Sequence, residues 1–541
     1  MCSVSGAFLV PLFQLNQNSI QQIRKKAHCL RKFLRFLFSK KFIAILLALI
    51  QITGFFLLTS QMYTVGSTIY FVLIMFSMGI MLYLFERDNL NPSYKLLWTV
   101  VMVIFPVTGA LFYFFWGDTK LTRKQQLELN KIRDRAWEFH DTNDDALQRL
   151  EEYNPAIAKQ ARFLDAYAKA TPYYNTETKY YPMGEDFFKD YIADLKNAKK
   201  SIFLHYFIID EGYMWDTVLE VLKEKVKEGV DVRVMYDGFG TLVTLPSKYD
   251  EYLRRFGIKV GVFNPIRFSL HIGDYLMLNH RDHRKITVID NNIGYGGGLN
   301  IADEYINAIT RFGVWKDTAF RLEGEGVYGL TSTFIRTWHL VTGEALNYAN
   351  YKPTVKKQTD GIVQPYFDTP LDKLNICESA YLGVINNARK YVYITTPYLV
   401  IDNEMITSLC LASQSGIDVK IMVPGIPDKW YVYYITQSYY RVLLEAGVEI
   451  YEYTPGFLHA KMYVSDDIQA IVGSANMDFR SMYLHFENCC SFYGGSMVKE
   501  VKADFENTLQ QCRKVTLEQV KKTPLWKRVF QIVFRIWSPM M

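Results

Sequence analysis

Two stretches of this chain share one pattern, and that repetition restricts the fold more than any other feature. Phe457 to Glu487 reads FLHAKMYVSDDIQAIVGSANMDFRSMYLHFE. It places His459, Lys461 and Asp466 at the spacing H-x-K-x4-D, followed by Gly473, Ser474, Asn476, Arg480 and Glu487. Upstream, HRKITVIDNNIGYGGGLN places His283, Lys285 and Asp290 at the same spacing, 176 residues earlier. Gly297, Gly298 and Asn300 fall at the offsets of Gly473, Ser474 and Asn476. A lone H-x-K is most often a surface strand with stray polar residues, but two extended copies in one chain mark a repeated unit. The run LHAKMYV alternates, which predicts a strand with His459 and Lys461 on one face. An imidazole beside an ammonium suits attack on a phosphate, the ring as nucleophile and the lysine neutralising oxygens. The Gly-Ser-x-Asn turn adds small side chains and donors beside the same anion.

The segments around the two copies also repeat. Ser201 to Ile209 reads as a buried strand, Trp215 to Lys227 as an amphipathic helix, Asp231 to Tyr236 as a strand, and Lys248 to Gly257 as a helix and turn. In the second half the same order runs through Tyr391–Thr396, Glu404–Ser415, Asp418–Val423, Ser438–Ala446 and Val448–Tyr453. Alternating β and α segments predict α/β lobes with covered mixed sheets. The expected lobes are residues 176–345 and 360–515, joined by a linker at 346–359 and preceded by a helical connector at 118–175.

The N-terminal region is of another kind. Residues 1–41 carry eight Lys or Arg and no acid. Three uncharged runs follow, at 42–60, 63–85 and 96–117, each long enough to cross a hydrocarbon core of roughly 30 Å. They predict a transmembrane region over 42–117 with the basic N-terminus in the cytoplasm. Counting three spans puts the remainder of the chain on the outer face; a re-entrant third segment, at Pro106 and Gly109, reverses that side. At the other end, residues 516–541 include TPLWKRVFQIVFRIWSPMM, whose apolar and basic positions predict an amphipathic helix on a membrane surface.

With half of the 541 residues hydrophobic and 21% charged, the chain is too apolar for disorder. A net charge of +6 gives no argument for nucleic acid. The seven cysteines show no zinc spacing or disulfide framework, and the nine histidines form no H-E-x-x-H cluster, so no metal or other cofactor is expected.

At the doubled H-x-K-x4-D motif the chain resembles the phospholipase D superfamily, over the stretch from about residue 176 onward. The preceding segment NPSYKLLWTVVMVIFPVTGALFYFFWG, with TTPYLVIDNEM, GFLHAKMYV, GSANMDFRS and LWKRVFQIVFRIWSPMM, is similar to bacterial cardiolipin synthases. Gly298 stands where the superfamily often has Ser, although glycine is common in that family, and three apolar runs stand where the family is described with two spans. The resemblance implies two lobes forming one pseudo-two-fold catalytic unit, with transmembrane helices before it, in a bacterial plasma membrane. It implies cofactor-free phosphatidyl transfer between two phosphatidylglycerol molecules, giving cardiolipin and glycerol through a phosphatidyl-histidine. His283 is then the nucleophile and His459 the acid and base; the residues alone allow the reverse. Lys285, Lys461, Asn300, Asn476 and Ser474 are expected on the phosphate, with Asp290 and Asp466 completing the motifs. Asp317 and Glu487, each following its motif's Asn in the same lobe, are expected to orient the imidazoles. Readings that share these residues are a phospholipase D hydrolase and a phosphatidylserine synthase. A catalytically inactive lipid-binding scaffold is expected to have lost a His or Lys, and both motifs are intact.

Overall fold

The structure is a computed structural model that describes residue 53 and residues 63–87, 90–113, 117, 123–140, 142–265, 279–372 and 374–540. The basic N-terminus and nearly all of the first apolar run, 42–60, lie outside the described residues. The chain divides into two compact units, 1–90 with 98–117, and 91–97 with 118–541.

In the first unit, Tyr63–Glu86 is one continuous helix. Phe71, Phe76 and Leu82 are among its exposed large apolar side chains. Among the described residues it supplies the one helix long and apolar enough to cross a membrane. The third apolar run is not continuous. Pro92–Ile104 and Pro106–Phe112 are separate helices, broken at Phe105, because Pro106 has no amide hydrogen to continue the ladder. A Cβ on Gly109 would lie 2.7 Å from the Val101 carbonyl, so the glycine permits close backbone packing after the break. Over its described part the run expected at 96–117 is thus two short helices rather than one continuous helix.

The second unit holds two large sheets and a two-stranded one formed by Leu399–Val400 and Met477–Asp478. The strands of the first half are β1 (Thr176–Tyr181), β2 (Ser201–Tyr206), β3 (Asp231–Asp237), β4 (Lys259–Phe263), β5 (Arg281–Asp282), β6 (Ile286–Ile289), β7 (Ile293–Gly297) and β8 (Ala319–Gly324). Those of the second are β9 (Ile362–Asp368), β10 (Tyr391–Thr395), β11 (Leu399–Val400), β12 (Asp418–Pro424), β13 (Glu449–Tyr453), β14 (Met462–Ser465), β15 (Gln469–Gly473), β16 (Met477–Asp478), β17 (His485–Tyr493) and β18 (Cys512–Lys514). The first sheet runs β1-β8-β7-β6-β2-β3-β4 and the second β18-β13-β12-β10-β14-β15-β17-β5, with β9 also on β17. In both, parallel pairs (β2·β3·β4 and β10·β12·β13) adjoin an antiparallel hairpin that follows the motif (β6·β7 and β14·β15).

Helices cover the sheets. Tyr213–Lys227 buries Trp215, Val218 and Leu222 against the first sheet, and Ile376–Asn387 buries Tyr381 and Val384 against the second. Residues 118–175 contain the helices Arg123–Glu138, Asp144–Tyr153 and Pro155–Ala168. The last of these is built into the second lobe. Leu164 and Ala168 sit in its core, and Gln364 donates to the Ala161 and Ala170 carbonyls at 2.9 and 2.7 Å. The helix expected at Ser438–Ala446 begins at Trp430, since the aromatic run WYVYY extends it.

The two β-rich lobes exchange backbone near their motifs. β5, from the first half, pairs in parallel with β17 of the second sheet, His485 opposite Arg281. Reciprocally, Lys316 bridges Leu458 in parallel. The expected strand through LHAKMYV therefore starts only at Met462: the backbone of Leu458 and His459 leaves its own sheet to meet the other lobe.

Candidate active site

The exchange delivers each histidine to an acid of the opposite lobe. The His283 amide donates to the Phe486 carbonyl at 2.9 Å, and the His459 amide donates to the Lys316 carbonyl at 2.7 Å. The residues after those carbonyls are Glu487 and Asp317. His283 Nδ1 lies 2.9 and 3.1 Å from the Glu487 carboxylate oxygens, and His459 Nδ1 lies 2.6 Å from Asp317 Oδ2. Both acids thus contact imidazoles, but across the lobes rather than within them. A carboxylate on Nδ1 assigns the proton to that nitrogen and leaves the Nε2 lone pair for chemistry.

Sheet register makes the two acids equivalent. Gly297 pairs with Ala319, and Gly473 with Cys489, so Asp317 and Glu487 occupy matching places beside Gly298 and Ser474. The two sites then solve one packing problem in different ways. Ser474 is fully buried, and its hydroxyl donates to Glu487. In the other lobe a Cβ on Gly298 would come within 2.1 Å of Asp317 Oδ1, so the carboxylate occupies the space of the missing side chain. This corrects the expectation that Ser474 meets the phosphate: it holds the carboxylate that holds His283.

Asp290 and Asp466 are also corrected, from catalysis to turn architecture. Each begins a pair of left-handed residues, φ 52° and 61° at Asp290–Asn291 and 56° and 60° at Asp466–Asp467. Such pairs close tight hairpins, and Asp and Asn tolerate them. Asp290 accepts from the amides of Lys199, Lys200 and Ser201; Asp466 accepts from those of Arg389, Lys390 and Tyr391. The motif acid therefore ties its hairpin to the start of the neighbouring strand.

His283, His459, Asn300 and Asn476 all line one cavity of about 620 Å³, whose walls include Phe207, Trp315, Tyr398 and Phe457. Asn300 accepts from the Ile208 amide at 3.0 Å and donates to Tyr305 at 2.6 Å. Asn476 donates to Asp478 at 2.9 Å. Lys285 and Lys461 are buried and donate to the carbonyls of His283 and His459, with the Lys461 ammonium 2.8 Å from His459 Nδ1. Burial lowers both, Lys285 to about 7 and Lys461 to about 8. Burial likewise lowers His283 to about 4 and holds His459 well below the usual histidine value, where Lys461 adds to the effect. The imidazoles are therefore neutral at pH 7. Burial raises Asp317 to about 6. Glu487 lies well below the usual carboxylate value despite its burial, held there by His283 first.

His485 was not singled out from the sequence, although the HFE step places it on the same strand face as Glu487. Its ring centroid is 5.4 Å from that of His283, and burial pushes it down to about 3. His280, three residues before His283, turns to the Leu484 carbonyl, with Nδ1 at 3.2 Å. Among the described residues, His283, His485 and Glu487 are the group whose ligating atoms come close enough, within 4.8 Å of one another, to hold a metal. Their spare capacity is already taken by Ser474 on Glu487 and by Arg480, which donates to His485 at 3.1 Å; a guanidinium there opposes a cation.

Two α/β lobes that lend each other a carboxylate around one imidazole-lined cavity define a phospholipase D-type unit. The family model described as cardiolipin synthase, PLD-like domain, matches residues 191–312 and 381–509, and the phospholipase D-nuclease N-terminal model matches 71–117. An uncharacterized protein of Streptococcus mutans serotype c is 40% identical, over 86% of this chain and all of its own length. Cardiolipin synthase 2 of Bacillus anthracis is 34% identical, over 84% of this chain and 88% of its own. The crystal structure of phosphatidylserine synthase from Haemophilus influenzae Rd KW20 shares the fold, with a TM-score of 0.55 and 16% identity over 72% of this chain and all of that one. The chain belongs to the cardiolipin synthase family of the phospholipase D superfamily and is a membrane-associated phosphatidyltransferase.

Proposed function

We propose that the chain makes cardiolipin and glycerol from two phosphatidylglycerol molecules. His283 Nε2 attacks the phosphorus of the first lipid while His459 protonates the departing glycerol oxygen. The hydroxyl of the second lipid then gives its proton to His459, its oxygen bonds to phosphorus, and the P–Nε2 bond breaks. The observation that supports this most is the placement of two neutral imidazoles on one cavity wall, each backed by a carboxylate at hydrogen-bond distance. Splitting the transfer reuses one acid–base residue. An arriving phosphodiester brings negative charge to a site that holds two buried lysines. It raises the lysines and His459 together and readies the proton for the leaving oxygen. Asn300 and Asn476 orient the phosphoryl oxygens.

The membrane presents both lipids. Tyr63–Glu86 spans it, and the two short helices after it, 92–104 and 106–112, complete the N-terminal membrane region in a multi-pass plasma-membrane arrangement. The lobes occupy 176–345 and 360–515. The tail helix Leu525–Ile536 packs on Trp430–Glu445 through Phe534 on Trp430 and Arg535 on Tyr439, yet leaves Leu525, Trp526, Val529, Phe530 and Ile532 exposed. That face lies on the bilayer, beside a cavity whose rim carries the exposed Phe239, Leu242 and Val243.

The test is a product assay with full-length protein in mixed micelles of phosphatidylglycerol, with chelator present. Cardiolipin and glycerol in equal amounts are expected, and neither from His283→Ala or His459→Ala, which still partition with lipid. Phosphatidic acid without cardiolipin would make water the acceptor and replace this reading with a hydrolase.

A further inference from the structure

Among the described residues, three cationic side chains line the cavity: Arg311, Lys429 and Arg480. Arg311 is paired with Glu304 at 2.7 Å, and Lys429 with Asp428 at 2.6 Å. Arg480 has no carboxylate within ion-pair distance among the described residues. Its Nε donates to His485 Nε2 at 3.1 Å and its Nη1 donates to the Met540 carbonyl at 3.2 Å. Both acceptors are neutral. The imidazole is uncharged at pH 7, and the carbonyl belongs to the turn Ser538–Met540, which the tail helix carries to the cavity. A guanidinium presents a planar fork of donors that matches a phosphodiester, and bonds to such an anion are about twice as strong as neutral ones. A part-buried guanidinium on the cavity wall whose acceptors are a ring nitrogen and a peptide carbonyl is therefore matched to an anion from outside the chain.

Its position says which anion. His485 separates Arg480 from His283 along the wall, so Arg480 is one ring removed from the reacting phosphorus. In the product two phosphates are joined by a single glycerol. Their binding sites must therefore be neighbours, and the one at His283 and His459 already holds the first.

We propose that Arg480 binds the phosphodiester of the second, acceptor lipid, and that the Met540 carbonyl occupies the position of one of its oxygens. This rests on the transfer reaction above and adds what makes a lipid, rather than water or a small alcohol, the preferred acceptor. The acceptor's phosphate on Arg480 holds its glycerol hydroxyl at the phosphatidyl-histidine. The hydroxyl oxygen forms the new P–O bond as P–Nε2 breaks, and the proton goes to His459. Arg480 is a specificity residue and leaves the first half of the reaction to the motifs.

The experiment is a competition between acceptors that differ in carrying a phosphate. Full-length protein in mixed micelles receives phosphatidylglycerol and a fixed concentration of ethanol, and cardiolipin and phosphatidylethanol are quantified from the same reaction. For Arg480→Gln the ratio of cardiolipin to phosphatidylethanol is expected to fall about 10- to 100-fold, the loss of one charge-assisted contact. Arg480→Lys keeps the charge without the fork, and its ratio is expected between the two. A purely structural arginine would lower both products together; an unchanged ratio in the variants that turn over overturns the proposal while leaving the transfer reaction standing. Phosphatidylethanol without cardiolipin from the unaltered protein would instead overturn the transfer reading itself, and the acceptor site with it.

Discussion

Gly298 is where the two half-sites differ, and it gives the sharpest test of the cross-lobe arrangement. A Cβ there would stand 2.1 Å from Asp317 Oδ1, whereas ordinary contact begins near 3.4 Å. In Gly298→Ala the carboxylate has to retreat by about 1 Å. It cannot do so freely, because Oδ1 accepts from the Thr318 amide at 2.8 Å and Oδ2 holds His459 Nδ1 at 2.6 Å. One of those bonds is lost. A hydrogen bond to a charged group contributes about 1.5–3 kcal/mol, and a 1 Å misplacement of a catalytic group costs on the order of 100-fold in rate. The expected result is a fall of about 100-fold in cardiolipin formed per enzyme in a phosphatidylglycerol micelle assay. The register equivalence of Asp317 and Glu487 then predicts a rescue. Gly298→Ser combined with Asp317→Glu recreates the Ser474–Glu487 pair, and activity should recover to within about 10-fold of the unaltered protein, roughly 1.4 kcal/mol. Wild-type turnover in Gly298→Ala, or a double variant no better than Gly298→Ser alone, would refute the reasoning.

Other predictions bear on the turns, the charges and the tail. Asp290→Ala removes the acceptor of three amides at a left-handed residue and should cost about 1–3 kcal/mol of stability, read as a lower thermal midpoint, with activity per folded molecule kept. Asp290→Asn, which tolerates that backbone, should lose less. For pH, kcat/KM should rise with pH through about 4 as His283 loses its proton and fall above about 7 to 8 as Lys285 and Lys461 lose theirs. Because folding lowers both lysines below their unfolded values, stability should rise over that same alkaline window while activity falls. Parallel profiles of activity and stability would contradict the assignment. Trp526→Glu with Phe530→Glu should weaken binding to anionic vesicles at least 10-fold while leaving turnover in detergent micelles within about twofold; equal losses in both assays would mean that the tail holds the lobe together instead.

Much of the fold was legible because it rests on local pattern. The buried strands SIFLHY and YVYIT and the helices behind them follow from alternation and 3.6-residue periodicity, and the doubled order follows from the doubled motif. The cross-lobe exchange has no local signature. Nothing in LHAKMYV indicates that its first residues pair with Lys316, and for the same reason the sequence names Asp317 and Glu487 as partners of the imidazoles without saying which acid meets which histidine. Asp290 and Asp466 mislead for a different reason. A carboxylate at a fixed offset from a catalytic His resembles a third catalytic group, and only its backbone angles reveal a hairpin. His485 and Arg480 acquire meaning from the cavity, through the distant neighbours His283 and Met540.

The difference between the half-sites also bears on which imidazole becomes covalent, a choice the sequence alone leaves open. Glu487 meets His283 first and His485, whose Nδ1 stands 3.7 Å away, and these hold it well below the usual carboxylate range, while Ser474 also donates to it. Asp317 has Gly298 in place of that hydroxyl, and burial lifts it to about 6. A histidine bonded to phosphorus at Nε2 and protonated at Nδ1 is a cation for the lifetime of the intermediate, and a fixed anion behind it lowers its energy throughout. A histidine that takes up and returns a proton within each turnover is better served by a carboxylate near its own balance point, so that neither form is held too tightly. His283 before Glu487 fits the first task and His459 before Asp317 the second. The assignment has a direct check: rapid acid quench during turnover of a slowly reacting lipid should trap phosphate on His283, and Ser474→Ala, which removes a donor from Glu487, should lower the trapped fraction. Phosphate found on His459 would exchange the two roles.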